Sequence, residues 1–175
     1  MNKYYTGIGS RETPNDILEL LRFIGKYLAG NGYILRSGGA KGADQAFELG
    51  CVENNGNKEI YLPWANFENN PSKLYNISEE AFNLAAKFHP RWESQTQGTK
   101  KLLARDGYQV LGLDLDTKSE FILCFTHNGN TSGGTGQAIR IAHHYNIPVF
   151  NFGKYSDIES CKYELKIFLR GFNLN

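Results

Sequence analysis

Two glycine-rich turns carry the residues of this chain that could bind an anion. The first turn contains Ser37, Gly38, Gly39, Ala40, Lys41, Gly42 and Asp44. The second turn contains Ser132, Gly133, Gly134, Thr135 and Gly136. Each turn follows an apolar run and precedes a helical pattern, and a helix N-terminus presents unpaired N–H groups with a partial positive charge. Because glycine lets a bulky anion approach that backbone, the two turns predict a phosphate-bearing ligand.

A third turn, Gly9-Ser10-Arg11, follows the first predicted strand. In parallel α/β sheets, ligands bind at the carboxyl ends of the strands, where the strand order reverses. We therefore expect the three turns to converge on one cleft, with Arg11 as a bidentate clamp for phosphate. Each turn also has a purely structural interpretation: close packing of glycine, capping of a helix by hydroxyl groups, or an exposed ion pair at Arg11.

The sequence lacks the motifs of several well-known catalytic, cofactor and metal sites. The first turn differs from both the P-loop and the six-residue dinucleotide fingerprint, and no Gly-x-Ser-x-Gly hydrolase elbow is present. His143 and His144 are adjacent on a predicted helix and so face different directions. The three cysteines lack Cys-x-x-Cys spacing. The sequence therefore predicts no metal and no cofactor.

Length and charge narrow the choice of protein class. The 175 residues fit one domain, 1–175, and 19 basic against 18 acidic residues give a net charge of +1. This balance argues against non-specific binding to duplex DNA. The sequence shows neither a signal peptide nor an apolar run near the roughly 20 residues that span a membrane. Because scattered cysteines suit a reducing compartment, we predict a cytoplasmic protein without a membrane partner.

Hydrophobic periodicity predicts strands that alternate with helices. The predicted strands are 4–8, 33–35, 60–62, 109–112, 121–125 and 148–152. The predicted helices begin at Pro14 with Thr13 as the N-cap, near residue 43, at 78, at 99, after the second glycine turn and at 158. This order is typical of a Rossmann-like, doubly wound, mostly parallel sheet flanked by helices. The irregular stretch 65–98 is predicted to be an insertion or a lid.

Taken together, the three turns resemble those of the SMF/DprA–LOG (SLOG) superfamily, a Rossmann-like group that binds nucleotides and nucleotide-derived ligands. The resemblance covers most of the chain and is strongest to small single-domain DprA-like proteins of bacteria and phages. It includes Leu103-Ala104-Arg105 before an expected Val110-Leu111-Gly112 strand. Because related domains often dimerise, it also implies a homodimer.

One branch of the superfamily implies an enzyme. The LOG enzymes cleave the N-glycosidic bond of nucleoside monophosphates with a Pro-Gly-Gly-x-Gly-Thr-x-x-Glu motif. At the aligned positions this chain has Ser132 for the proline, Gln137 for the threonine and Arg140 for the glutamate. A similar activity here would need another carboxylate. The candidates are Asp44, Glu48 and Asp106.

The other branch implies binding of single-stranded DNA, as in DprA. Such binding requires a basic groove with aromatic side chains that stack on bases. The residues available for it are Lys41, Arg91, Lys100, Lys101, Arg105 and Trp92. The leading prediction is a nucleotide-binding module, with phosphate on the backbone of 38–44 and 133–136 and the ribose or base toward Asp44 and Pro63-Trp64. The alternatives are an N-glycosidase for nucleoside monophosphates and a single-stranded DNA-binding protein.

Overall fold

The computed structural model describes residues 2–174, and its centre is one parallel sheet. Its strands are β1 (Lys3–Gly9), β2 (Tyr33–Ser37), β3 (Lys58–Ile60), β4 (Phe121–Phe125) and β5 (Val149–Asn151). Within the described residues the sheet has five strands, in the order β3-β2-β1-β4-β5, and every neighbouring pair is parallel. The predicted α/β, Rossmann-like fold class is confirmed.

Helices cover both faces of the sheet. In the described part of the chain they are α1 (Asn15–Gly30), α2 (Ala43–Glu53), α3 (Glu79–Phe88), α4 (Gln97–Leu111), α5 (Gly133–His144) and α6 (Ile158–Arg170). Helices α1, α2 and α6 pack on the face that carries Tyr5, Leu35 and Phe121. Helices α4 and α5 pack on the opposite face, against Ile8 and Ile122. Because both faces are covered, β4 is buried along its whole length and its sequence is continuously apolar.

The strand order places a crevice between β1 and β4. The chain leaves β1 toward α1 on one face, and it leaves the neighbouring β4 toward α5 on the other face. The two connections diverge at the carboxyl edge of the sheet, so a gap opens between them. This is the position at which open α/β sheets bind their ligands.

One predicted strand is wrong. The sequence predicted a helix at 99–105 and a strand at 109–112, but α4 runs without interruption from Gln97 to Leu111. Val110 and Leu111 are buried in the apolar cluster beneath the sheet, and Gly112 ends the helix with a φ of 79°. A short apolar run is compatible with either a strand or a buried helix, and its packing decides between them.

The bounds of β3 and the start of α1 also differ from prediction. Strand β3 occupies 58–60 rather than 60–62, although Tyr61 continues with an isolated parallel bridge to Leu74. Helix α1 begins at Asn15 after Pro14, so the predicted N-cap Thr13 lies outside it. The Thr13 hydroxyl instead donates to the Ser10 carbonyl at 2.7 Å, which fixes the turn after β1 rather than the helix.

The stretch 65–98 contains two different parts. Residues Phe67–Asn69 form a 3-10 turn near the carboxyl edge of the sheet. Helix α3 packs against α4 through a cluster that includes Ala81, Ala85 and Tyr108, so this part of the stretch is integral to the domain. No helix between residues 2 and 174 is long and apolar enough to cross a membrane.

Candidate ligand-binding cleft

A cleft of about 340 Å³ lies at the carboxyl edge of the sheet, between β1 and β4. Nine residues of the predicted ligand-binding set line it: Gly9, Ser10, Arg11, Ala40, Asp44, Ser132, Gly133, Gly134 and Thr135. The other predicted residues lie outside its lining: Ser37, Gly38, Gly39, Lys41, Gly42 and Gly136. The structure therefore brings together the turn after β1, the start of α5 and part of the first glycine turn.

Asp44 accepts hydrogen bonds from the backbone of the first glycine turn. Its Oδ2 accepts from the N–H groups of Gly38 at 3.1 Å and Ala40 at 3.4 Å, and its Oδ1 accepts from Gly9 N–H at 3.0 Å. Burial raises the pKa of Asp44 to about 6, although Arg105 and these N–H groups oppose the rise. The three N–H groups are thus already paired, and a phosphate would have to compete with Asp44 for them.

The glycines of the first turn allow close packing. Gly42 has a φ of 84°, and a side chain there would collide with the backbone of Ser10 and Arg11. The Ser37 hydroxyl donates to the Gly7 carbonyl at 2.6 Å, inside the sheet. These contacts hold the turns after β1 and β2 against each other, which agrees with the structural interpretation of the first turn.

The second glycine turn presents a helix N-terminus to the cleft. Helix α5 begins at Gly133, and no side chain among the described residues caps it. The Ser132 hydroxyl is bonded to Asn130 Oδ1 at 2.9 Å instead. The first N–H groups of any helix lack partners within that helix. Gly133, Gly134 and Thr135 line the cleft, so their N–H groups are available to an anionic ligand.

Two cations lie near this edge and share one acidic partner. Arg11 lines the cleft with its side chain 57% exposed, and Lys41 is 71% exposed. Glu68 approaches Arg11 to 3.9 Å and Lys41 to 3.6 Å. The centre of the Phe67 ring lies 5.9 Å from the guanidinium of Arg11 and 5.8 Å from that of Arg105. Arg11 is therefore placed where a clamp would be, but it is paired with a carboxylate.

Arg105 and Asp106 form the most unusual part of the cleft. Both are buried in its lining, and Arg105 Nη1 lies 3.5 Å from Asp106 Oδ1. Arg105 Nε and Asp106 Oδ2 are buried without a hydrogen-bond partner among the described residues, and we call these two atoms the open pair. A side chain on Gly134 would begin 3.9 Å from Asp106 Oδ2, so the open pair lies close to the α5 N-terminus.

The ionisation of Asp106 is strongly perturbed. Burial raises its pKa to about 8, and Asp44 adds to the rise while Arg105 and Arg140 oppose it. A carboxyl group with this pKa is mostly protonated at pH 7 and can donate a hydrogen bond or a proton. Asp106 can therefore sit beside a bound anion without repelling it.

Two further residues of the sequence analysis lie outside the cleft lining: the candidate carboxylate Glu48, and Arg140 at the position of the LOG glutamate. Glu48 accepts from Lys58 at 2.6 Å and from Asn70 at 2.9 Å, outside the cleft lining. Arg140 donates to the carbonyl groups of Phe88 and Thr131, each at 2.9 Å, and so links α5 to α3. No group of three His, Cys, Asp or Glu that could hold a metal ion occurs between residues 2 and 174.

The side chains predicted for DNA binding do not share one environment. Arg105 is buried in the cleft, and Lys41 is paired with Glu68. Lys101 lines a separate pocket with Trp64, and Lys100 lies 5.2 Å from the ring of Trp92. An exposed basic groove that includes Arg105 is therefore not formed in this conformation.

No family model and no curated protein sequence matches the chain. Solved structures do. The chain shares its fold with DNA processing protein A. The protein from Helicobacter pylori, which binds single-stranded DNA, is 19% identical to this chain and superposes on it with a TM-score of 0.55. The match covers 86% of this chain and 64% of that chain.

Two further structures support the same fold. For DNA processing protein A from Streptococcus pneumoniae the identity is 16% and the TM-score 0.55, over 86% of this chain and 50% of that one. For the molybdenum cofactor carrier protein of Chlamydomonas reinhardtii, the identity is 17% and the TM-score 0.51, over 98% of this chain and 87% of that one. This chain thus spans between half and two thirds of the two DNA processing proteins. At such identities the likeness concerns the fold alone.

Sequence reasoning misassigned the α4 side of the cleft because of one error. Four residues of α4 line the cleft, and of these only Asp106 was predicted as part of the site: Leu102, Arg105, Asp106 and Gln109. Their spacing of three and four residues places them on one face of a helix. The predicted strand at 109–112 interrupted that pattern, so Arg105 was assigned only to DNA and Gln109 to no site. A continuous helix over 97–111 would have revealed the stripe.

Proposed function

We propose that this chain is a SLOG-type protein that binds a nucleotide or a nucleotide-derived phosphate ligand in the cleft between β1 and β4. The observation that carries the proposal is the open pair of Arg105 and Asp106 beside the N-terminus of α5. Buried polar atoms are nearly always paired in proteins, so an open donor and an open acceptor in a cleft point to a polar ligand.

The phosphate would lie on the start of α5. The N–H groups of Gly133 and Gly134 supply donors, the helix dipole favours negative charge, and Arg11 supplies a cation at the mouth. This assignment moves the phosphate away from the first glycine turn, whose N–H groups are bonded to Asp44. The two turns therefore have different roles: the first is closed by its own carboxylate, and the second receives the ligand.

The open pair would bind the part of the ligand next to the phosphate. Asp106 lies near the α5 N-terminus, and Arg105 Nε needs an acceptor. A ribose hydroxyl satisfies both atoms, because it donates one hydrogen bond and accepts others. The base would then extend beyond the cleft lining toward the exposed ring of Trp64, which packs edge to face against the buried Phe67 at 5.3 Å. A nucleotide thus matches the chemistry of the cleft where its phosphate and ribose would bind.

Thermal unfolding with a panel of nucleoside 5′-monophosphates tests the proposal. A ligand at a hundred times its Kd adds about 2.7 kcal/mol of stability, which raises the Tm of a domain of this size by about 5–10 °C. Arg11→Ala should weaken binding about tenfold. Arg22→Ala is the matched control, because Arg22 is also 57% exposed and paired with a glutamate.

A second pair of variants tests the phosphate position. Gly134→Asp adds a carboxylate at the second residue of α5 and should abolish the ligand-induced shift. Gly98→Asp adds the same group at the second residue of α4, where a side chain meets nothing within 4 Å. An acidic residue in the first turn suits either helix, so both variants should fold. No shift with any nucleotide, or equal shifts in the two variants, contradicts the proposal.

A second candidate function is N-glycoside hydrolysis of nucleoside monophosphates, and Asp106 is the observation that favours it. A buried carboxyl group with a pKa of about 8 is suited to protonate the departing base as a general acid. Incubation with nucleoside monophosphates and chromatography for free base tests this reaction. The hydrolase function is supported if the wild type releases free base and Asp106→Asn does not. It is rejected if the wild type releases no base at high protein concentration.

Binding of single-stranded DNA and formation of a homodimer stay predictions. A gel shift with oligonucleotides over a range of salt concentrations tests the first, since binding through phosphates weakens steeply with salt. Sedimentation of the purified chain tests the second. Neither result bears on whether a mononucleotide occupies the cleft.

A further inference from the structure

Glu68 contacts both cations that lie at the mouth of the cleft. Its Oε1 is 3.9 Å from Arg11 Nη2, and its Oε2 is 3.6 Å from Lys41 Nζ. The Glu68 side chain is only 18% exposed. One carboxylate therefore uses one oxygen for a cation from the turn after β1 and the other oxygen for a cation from the turn after β2.

The backbone at Glu68 is unusual for this residue type. Its φ of 50° and ψ of 33° lie in the left-handed region, which glutamate rarely adopts. The neighbouring Asn66 and Asn69 are also left-handed, but asparagine tolerates that conformation well. Phe67 is buried and holds the segment against the cleft. The segment thus keeps an unfavourable conformation at Glu68, whose carboxylate reaches both cations.

We propose that Glu68 is an internal competitor for the anion: it contacts Arg11 and Lys41 in the free protein, and the ligand phosphate replaces it at Arg11, the one of these two cations that lines the cleft. This inference rests on the proposed function, because it concerns the same phosphate. A phosphate monoester carries more negative charge and more acceptor oxygens than a carboxylate, so the exchange favours the ligand. Glu68 then lowers the affinity for every anion that uses Arg11.

The affinity of Glu68→Gln tests the competition directly. Glutamine keeps the size of the side chain and removes its charge. With AMP and with inorganic phosphate as probes, calorimetry should give a Kd three- to tenfold lower than for the wild type, which is about 0.7–1.4 kcal/mol. Glu53→Gln is the matched control, because Glu53 pairs with Arg22 far from the cleft lining, and its Kd should equal the wild-type value.

A combined variant separates competition from a general effect on the fold. In Arg11→Ala/Lys41→Ala protein the two cations are absent, so Glu68→Gln should change the Kd by less than twofold. Equal gains in both backgrounds would overturn the competition. Equal affinity of the wild type and Glu68→Gln for AMP would also overturn the competition, but it would leave the proposed function standing. No binding of either probe to either protein overturns the proposed function and the competition together.

Fluorescence gives a second readout of the exchange. The chain has two tryptophans, and Trp92→Phe leaves Trp64, which packs edge to face against Phe67 at 5.3 Å. Saturating inorganic phosphate, which carries no base that could reach Trp64, should change the Trp64 emission in this protein because Glu68 leaves Arg11 and its neighbour Phe67 moves. The same protein with Glu68→Gln should show the altered emission before phosphate is added. An emission that phosphate leaves unchanged contradicts the displacement.

Discussion

The replacement Asp106→Asn should make the domain more stable at neutral pH, and the gain should depend on pH. In the unfolded chain Asp106 has a pKa near 3.8, whereas burial raises it to about 8 in the folded protein. Below pH 3.8 both states hold the proton. Between the two values the folded state holds a proton that the unfolded state releases, so the free energy of unfolding falls as pH rises.

The size of the effect follows from the two pKa values. Each unit of difference is worth about 1.4 kcal/mol, so the wild type loses roughly that amount per pH unit until pH 8. At pH 7 the accumulated cost is about 4 kcal/mol. Asparagine has the same shape and no ionisation, so it avoids the cost. Asp44 has a pKa of about 6 and adds to the loss at lower pH, but it is present in both proteins.

Urea unfolding at pH 5, 6, 7 and 8 measures this difference. The free energy of unfolding of Asp106→Asn minus that of the wild type should rise with pH by about 1.4 kcal/mol per unit, with the m-value unchanged. Asp114→Asn is the control, because hydrogen bonds from Thr117 lower the pKa of the exposed Asp114 to about 2. Its difference from the wild type should be constant over this range.

A constant difference for Asp106→Asn would refute the reasoning. It would mean that Asp106 is ionised in the folded protein at pH 5 and cannot act as a donor. If the slope is observed, nucleotide binding should weaken above pH 8, where the carboxylate becomes negative beside the phosphate. The variant should bind with a pH-independent Kd over the same range, and calorimetry at pH 7 and 9 checks this.

Three further substitutions probe the framework of the cleft by urea unfolding. Asp44→Ala leaves buried N–H groups without an acceptor and should cost about 3 kcal/mol, while Asp44→Asn should cost less. Arg140→Ala leaves the carbonyl groups of Phe88 and Thr131 without their donor and should lower the free energy of unfolding by about 2 kcal/mol. Arg140→Lys should not recover this loss, because lysine lacks the planar guanidinium group that donates to both carbonyl groups. Gly42→Ala should cost about 2 kcal/mol, whereas Gly98→Ala in an open helix turn should stabilise by about 1 kcal/mol. Equal effects at the two glycines would contradict the packing described for the first turn.

Local patterns were sufficient for most of the architecture. The buried strand at 121–125 and the helix from 78 to 88 were predicted with nearly correct boundaries, because each has an apolar pattern bounded by clear start and stop residues. The positions of the three turns at the carboxyl edge followed from the parallel order of the strands. Such features depend on neighbours within a few residues, which a single sequence contains.

Local sequence patterns are therefore enough to predict a parallel α/β domain with glycine-rich turns at one edge of its sheet. The role of each turn, in contrast, depends on contacts between segments that are distant in the chain. Asp44 and Gly38 are close in sequence, but whether the N–H of Gly38 faces a ligand or the Asp44 carboxylate depends on how α2 packs beside β1. In the same way, packing beneath the sheet made 97–111 one helix and brought Arg105 and Asp106 under the start of α5. Burial and pairing arise from contacts between distant segments, and these set the charge, the open hydrogen bonds and hence the chemistry of the cleft.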